Sequence, residues 1–381
     1  MPLTYYEIDR TAIATNIQNI RQHVGHDVLL CPVVKANAYG HGAVEVAKTV
    51  LKSGADRVAV NRVGEGVVLR QAGVTSPILV LGYTFQDDIE SIIEYDLIPT
   101  ITELEIAREL ANRVPKTHSI HVKVDTGMGR LGVLPHEAIA FIQQLALIPT
   151  LDVEGLFTHF SVADSQSSDD IAYTRQQFKT FETIVAQLDT LNIHIPIKHA
   201  ANSAATMYYP ETHLDMVRPG IIVYGLRPDR DVQPQFPLYP ALMIKTHVGR
   251  VRELPSGSSI SYGRTYITPT PTTVALIPIG YGDGYHRLLS NRAAVLIHGQ
   301  RAPIVGRVCM DQFVVDISHI EGVKVDDEVV LLGKQRDAEI TADELAEWAE
   351  TINYEVTTSL LNRAPRIYHA SRKSKSIAPS R

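Results

Sequence analysis

Short β-branched runs recur along the first 225 residues: VLLCPVVK (28–35), RVAV (57–60), PILVLG (77–82), LIPTI (97–101), IHVKVD (120–125), VEGLFTHF (153–160), IPIKHAAN (195–202) and MVRPGIIVYG (216–225). Between them lie stretches with apolar residues at helical spacing, such as GAVEVAKTVLKSG (42–54), TELEIARELANRV (102–114), PHEAIAFIQQLAL (135–147) and IAYTRQQFKTFETIVAQLDTL (171–191). Strands alternating with helices imply βαβ units and a parallel sheet. Eight such units over about 200 residues predict a (β/α)8 TIM-like barrel, with a doubly wound sheet as the alternative. The pattern changes at PQFPLYPAL (234–242), where three prolines mark a linker. Beyond it strands dominate, in ALMIKTHVGRV, TTVALIPIG, RAAVLIHGQ, RAPIVGRV, QFVVDIS and DEVVLLG. The expected organisation is therefore a barrel over 1–240 and a mainly-β domain over 241–381. One late helix, TADELAEWAETI (341–352), should start from a capping box of Thr341 and Glu344. A basic polar tail covers 371–381.

Composition narrows the class. The chain has 381 residues, a formal net charge of −6, 45% hydrophobic and 20% charged residues. That length gives a prior of about two and a half domains. An acidic balance disfavours nucleic-acid binding, which needs a basic face. No uncharged apolar run approaches the roughly 20 residues of a membrane span, and the first residues lack the pattern of a secretory signal. Two cysteines, Cys31 and Cys309, cannot form a disulfide scaffold. A cytoplasmic protein without nucleic-acid or membrane partners is expected. The histidines show no metal-ligand spacing, so no metal site is expected.

One motif misleads. DTGMGRLG places Gly127, Gly129 and Gly132 in a literal G-x-G-x-x-G, after a strand and before a helix, with Asp152 at 20 residues past Gly132. In a dinucleotide fold the acid ends the next strand. Asp152 instead begins its strand, and Pro135 stands where the helix should start, so the nucleotide reading is set aside.

Barrel chemistry sits at the carboxyl ends of strands. Those ends carry Lys35, Asp125 leading to Arg130, His159, Asn202 with Ser203, and Arg218 with Gly220. Lys35 ends the apolar run CPVVK; desolvation there would lower its pKa and favour an imine, although a plain surface lysine is the competing reading. Ser203 and Gly220 follow strands seven and eight, the usual phosphate cradle of such barrels. A helix N-cap serine and a turn glycine are the bland rival. An imine lysine beside a phosphate cradle points to pyridoxal 5′-phosphate.

VVKANAYGHG (33–42) carries a resemblance to the bacterial alanine racemase family. It is joined by KVDTGMGRLG (123–132), FTHFSVAD (157–164), HAANSAA (199–205), MVRPGIIVYG (216–225), SYGRTY (261–266), GYGDGY (280–285), GRVCMDQ (306–312), INYE (352–355) and NRAPRIY (362–368). The resemblance implies a pyridoxal-phosphate-dependent isomerase that interconverts L- and D-alanine for peptidoglycan. It implies a homodimer with shared sites. It also implies that Lys35 holds the cofactor and that Tyr262, from the other subunit, is the second base. Tyr39, Ser203, Gly220, Ile221 and Tyr354 would contact the phosphate. Arg130, the backbone N–H of Met310 and neighbouring Asp311 would meet the substrate carboxylate. Lys123 matches a lysine that carries a carbamate in many members, and Tyr281 an entrance tyrosine. His159 and Arg218 would link Tyr262 to the pyridine nitrogen in a Tyr–His–Arg chain. A phenol with pKa near 10 is a poor base unless its anion is stabilised, which gives that chain a purpose. Taken singly, most of these residues read as ordinary core or surface positions; their joint order carries the assignment. A broader or serine-preferring racemase, or a non-catalytic pyridoxal-phosphate-binding protein, are the alternatives. A decarboxylase of the same barrel type is disfavoured, because it would place a glutamate where Arg218 stands.

Overall fold

A computed structural model of the chain describes residues 2–370; the basic tail read over 371–381 lies outside them. The described residues form two compact units, one of residues 13–239 and one of residues 2–12 with 240–370.

In the first unit each apolar run supplies a parallel strand. They are β2 (Leu29–Leu30), β3 (Val58–Val60), β4 (Ile78–Val80), β5 (Ile98–Ile101), β6 (His118–Lys123), β7 (Leu151–Phe157), β8 (Ile197–His199) and β9 (Met216–Val217), with β1 (Tyr5–Asp9) preceding them in the chain. The order β3-β4-β5-β6-β7-β8 is one ladder and β2-β9 another. Val33 bridges Ala59 in parallel. On the other side Asp215 N donates to Lys198 O and Arg218 N to Ala201 O. These links join the two ladders into a closed eight-stranded barrel. Strands β3, β4 and β5 are buried at every position, which is why they read as unbroken apolar runs rather than alternating ones.

Two runs shorten. Pro32 interrupts the first, which leaves a two-residue strand and a single bridge at Val33. Pro219 ends the last, and IIVYG, read as strand, is a buried 3-10 turn over Ile221–Tyr224 closed by left-handed Gly225 at φ 79°. The helical stretches fold as Ala43–Lys52, Leu104–Arg113, Ala138–Ala146 and Ser168–Thr190. The last is capped by Ser167, whose side chain accepts from Asp170 N.

The second unit is mainly β. Its later strands are β10 (Leu242–His247), β11 (Arg250–Leu254), β12 (Ser259–Ile260), β13 (Tyr266–Ile267), β14 (Thr272–Ile277), β15 (Ala294–Ile297), β16 (Gln300–Pro303), β17 (Phe313–Asp316), β18 (Glu328–Gln335), β19 (Ala338–Ile340) and β20 (Arg366–His369). The largest sheet runs β16-β15-β18-β10-β1-β20, with β19 on β18, and β11-β14-β17 form a second. The first strand therefore differs from the sequence reading, which assigned residues 1–12 to the barrel. β1 pairs antiparallel with β10 and parallel with β20. It buries Tyr5, Tyr6 and Ile8, and nothing local to it says which sheet receives it.

The helix Ala342–Trp348 begins as expected, with the Thr341 hydroxyl accepting from Glu344 N at 3.1 Å. The reciprocal half of the capping box is replaced: both Glu344 oxygens take Arg301, at 2.6 and 3.1 Å. Among the described residues no helix is long and apolar enough to cross a membrane.

Candidate active site

Lys35 follows directly on the barrel interior: Val34 is fully buried and Lys35 half-buried. Burial, then the nearby Arg130 charge, lowers the Lys35 pKa, against the opposing pull of Glu65. Among the described residues the Lys35 ammonium has no hydrogen-bond or ion-pair partner. Beyond it the chain makes a left-handed turn, with φ of 51°, 54°, 54° and 50° at Ala36, Asn37, Ala38 and Tyr39. Four consecutive non-glycine residues in that region cost on the order of 1–2 kcal/mol each. Local bonds hold the turn: Ala36 N donates to Glu65 Oε1 at 2.6 Å, and Ala43 N to Asn37 Oδ1 at 2.9 Å. The strain swings Tyr39 back beside Gly220. A Cβ on Gly220 would sit 2.5 Å from the Tyr39 hydroxyl oxygen.

Ser203, Gly220 and Tyr39 thus meet. Gly220 N donates to Ser203 Oγ at 2.7 Å, and both residues are buried. The helix cap here is Asn202, whose side chain accepts from Ala205 N at 3.0 Å, so Ser203 is not the N-cap, and its hydroxyl, while accepting from Gly220 N, keeps its proton to donate to a ligand. Ile221 opens the 3-10 turn behind Gly220. A hydroxyl, a phenol and backbone N–H groups at the start of turns make a suitable cradle for a phosphate dianion. Gly220→Ala should push Tyr39 out of this cradle and weaken cofactor retention; dialysis of the variant against phosphate buffer, followed by absorbance, reads the loss. A variant that retains cofactor like the parent would show that the close approach at Gly220 is dispensable.

Arg218, buried at the end of β9, is held on three sides. Its Nη1 donates to His199 Nδ1 at 2.7 Å, and its Nη2 to Thr158 O at 2.8 Å and Ala200 O at 3.0 Å. Burial pushes its pKa down to about 10, which still leaves it a cation at neutral pH. Its Nε–H has no partner among the described residues and remains available as a donor. His159, expected as the neighbour of Arg218, lies at the outer limit: its Nδ1 is 3.5 Å from Nη2. The histidine that grips Arg218 is His199, which sequence reasoning did not single out. Burial followed by the Arg218 charge drives both His159 and His199 well below the usual imidazole pKa, so both are neutral.

Lys123, on β6, is buried with its ammonium 5.6 Å from the Phe157 ring centroid. Burial, then Arg130 and Arg218, push its pKa down to about 8. The Gly-rich loop that imitated a nucleotide fingerprint is occupied otherwise. Asp125 accepts from the backbone N–H groups of Gly127, Gly129 and Arg130 at 3.0, 3.0 and 2.9 Å. Burial alone would raise its pKa, but these amides outweigh it and hold the carboxyl below the usual range. The loop amides therefore face an internal anion rather than a pyrophosphate, and the loop presents Arg130 outward, exposed.

In the second unit Tyr262 lies on a 3-10 turn rather than a strand and is 72% exposed. The turn carries positive φ at Ser261 (63°), Gly263 (73°) and Arg264 (49°). Ser261 Oγ anchors it to Arg307 O at 2.7 Å and contacts Cys309 Sγ at 3.2 Å. The next residue, Met310, is 53% exposed. Tyr281 N donates to Cys309 O at 3.1 Å and Gly282 N to Met310 O at 2.8 Å. These bonds gather Tyr262, Tyr281, Met310 and Asp311 around Cys309. Asp311 is paired with Arg363 at 2.8 Å. A methyl group on Gly282 would collide with the Arg363 guanidinium tip, so glycine there lets Arg363 approach Asp311. Tyr354 is half-buried on a short helix, Asn353–Thr358.

Residues 8–228 match the N-terminal domain of alanine racemase and residues 241–368 its C-terminal domain. The chain is 45% identical to the alanine racemase of Halothermothrix orenii, over 96% of each chain. It is 47% identical to that of Desulforamulus reducens, over 95% of this chain and 98% of the other. Among solved structures, alanine racemase of Clostridium difficile superposes with a TM-score of 0.92 at 40% identity, covering 97% of this chain and 96% of that one. The Bacillus anthracis enzyme with bound L-Ala-P gives 0.92 at 38%, covering 99% and 97%. The chain belongs to the alanine racemase family, the pyridoxal-phosphate-dependent isomerases that interconvert L- and D-alanine.

Proposed function

We propose that this chain racemises alanine with two bases on opposite faces of the substrate, Lys35 from one subunit and Tyr262 of the partner subunit. The observation that carries the reading is the juxtaposition in the barrel of a desolvated, unpartnered Lys35 amine with the Tyr39–Ser203–Gly220 cradle. Bound pyridoxal phosphate supplies a planar conjugated ring that delocalises the electron pair left when Cα loses its proton. Lys35 would hold or return a proton on one face. The phenol of Tyr262 would do so on the other. Tyr39, Ser203, Gly220, Ile221 and Tyr354 bind the phosphate. Arg218, with its Nε–H free, would donate to the ring nitrogen and, being a cation that keeps its protons, would leave that nitrogen uncharged. His159 lies beside Arg218 on the way to the phenol. Arg130 and the backbone N–H of Met310, with Asp311 beside it, orient the substrate carboxylate, and Tyr281 narrows the entrance.

The burial of Lys123 supports a carbamate there. A pKa of about 8 leaves an appreciable fraction as free amine. That amine can add CO2, with loss of one proton, to give a carbamate anion beside Arg130. Both cysteines are free, which accords with a reducing cytoplasmic location.

The shared site requires a homodimer, for which the exposed Tyr262, Tyr281 and Met310 around Cys309 offer the contact face. The test mixes two inactive variants, Lys35→Ala and Tyr262→Phe, under conditions of subunit exchange. Random reassortment makes half the dimers hybrid, each with one intact site of two, so about a quarter of the parental activity returns. Exchange demonstrated by mass spectrometry without any recovered racemisation would sink the shared-site reading.

A further inference from the structure

Behind Arg218 runs a buried line of polar side chains that none of the assignments above uses. His199 Nε2 is 2.8 Å from His121 Nδ1, and His121 Nε2 is 2.9 Å from Glu154 Oε2. Arg57 then closes on both Glu154 oxygens, each at 3.2 Å. His121 and His199 are fully buried, and Arg57 nearly so. The backbone is shaped for this line. The register of β6 on β7 shifts between Ile120, opposite Val153, and His121, opposite Gly155. Glu154 is thus the extra residue of a β-bulge, a device that re-aims a side chain. Gly155 leaves room for the imidazole, since any Cβ there would overlap the His121 ring. Phe157 stacks on His199, with ring centroids 4.7 Å apart and planes 8° from parallel, and carries the Arg218 guanidinium 5.1 Å from its centroid.

The polarity of the line follows from its ends. Arg218 can only donate, so His199 Nδ1 must accept, and a neutral His199 then carries its proton on Nε2. That N–H points at His121 Nδ1, which must also accept, so the His121 proton sits on Nε2 and faces Glu154. Burial would raise the Glu154 pKa, but the hydrogen bonds from His121 and Arg57 outweigh it and hold it at about 2. An ionised carboxylate accepts only. All three junctions therefore agree with one direction of donation.

We infer that Glu154 is a positioning residue for the reaction: through His121 and His199 it fixes the two tautomers that hold Arg218 in place as a donor toward the cofactor ring. The inference rests on the proposed role of Arg218. Glu154→Gln keeps the shape but substitutes an amide NH2 for one acceptor. The three N–H groups that converge from Arg57 and His121 then meet only one oxygen, and a donor–donor conflict must be relieved by turning Arg57 or by reversing the imidazoles against Arg218.

The test has one measurement that needs no variant. In 15N-histidine-labelled wild-type protein, with and without cofactor, His121 and His199 should both show a protonated Nε2 and an unprotonated Nδ1 at neutral pH. A proton on Nδ1 of either overturns the inference. Glu154→Gln should then disturb these two imidazole patterns, shift the cofactor absorption band and lower kcat on the order of tenfold, with KM changed much less. A variant with lower Tm but unaltered kcat and spectrum would make Glu154 a buttress only and overturn the positioning role. Arg218→Gln serves as the reference. If it leaves the spectrum and kcat untouched, the proposed role of Arg218 fails; if it impairs both while Glu154→Gln does not, only the present inference fails.

Discussion

Replacing Lys35 by alanine should lower racemisation by roughly 10³–10⁴-fold or more, because in the proposed mechanism one side chain supplies both the covalent tether and one of the two bases. The phosphate cradle lies on other residues, Ser203 and Gly220 joined at 2.7 Å with Tyr39 beside them. The variant should therefore still take up pyridoxal phosphate but surrender it on gel filtration. Borohydride reduction followed by peptide mapping separates the two roles. The wild type should carry reduced cofactor on the peptide containing Lys35, and the variant should carry none. Label on another lysine, Lys123 for instance, would contradict the assignment. The buried setting of Lys35 adds a pH expectation. Its pKa is lowered chiefly by burial and then by Arg130, so the amine should react with free cofactor at a lower pH than an exposed lysine does. An Arg130→Gln variant, lacking one of the lowering charges, should need a higher pH for the same rate of reconstitution.

Tyr262→Phe should produce an asymmetric defect. In the proposed mechanism, removing the phenol takes away the proton donor of one face only, so racemisation in either direction should fall about 10²–10⁴-fold. The Lys35 face should remain competent, and one enantiomer of alanine should still exchange its Cα proton with deuterated solvent without inversion. Proton NMR of each enantiomer in D2O, incubated with the variant, follows this directly. Exchange of both enantiomers at wild-type rates would remove Tyr262 from the mechanism. The 72% exposure of the side chain and the strained turn that carries it make a packing role a poor alternative. A tyrosine held out from its own unit contributes little to that unit's core, so the variant should keep the parental Tm.

Much of the barrel was legible because its strands are buried on both faces and so appear as unbroken apolar runs. Each of the eight runs yields a strand, and the intervening helices appear close to their expected bounds. The errors have local physical causes. Pro32 and Pro219 lack the N–H that a ladder needs, which shortened two strands and turned IIVYG into a 3-10 turn. The strand Tyr5–Asp9 went unread, and its partners Leu242–His247 and Arg366–His369 lie more than 200 residues away, beyond any local signal. The candidate site has two origins in the sequence. Lys35, Ser203, Gly220 and Arg218 follow from their places at strand ends, whereas Tyr262, Met310 and Tyr354 entered only through the resemblance.

His199, His121 and Glu154 went unremarked, although alternation puts His121 on the same face of its strand as Lys123. Their meeting depends on a bulge at Glu154 and on the space left by Gly155, neither of which has a signature in the string of residues. Residue type and spacing suffice to choose strands, helices and the chemistry at strand ends, because those depend on short-range sterics and burial. Which imidazole grips Arg218, where the amino-terminal strand docks and what the Gly-rich loop's amides face are settled only by long-range packing, since each is a competition among distant donors and acceptors for the same few ångströms.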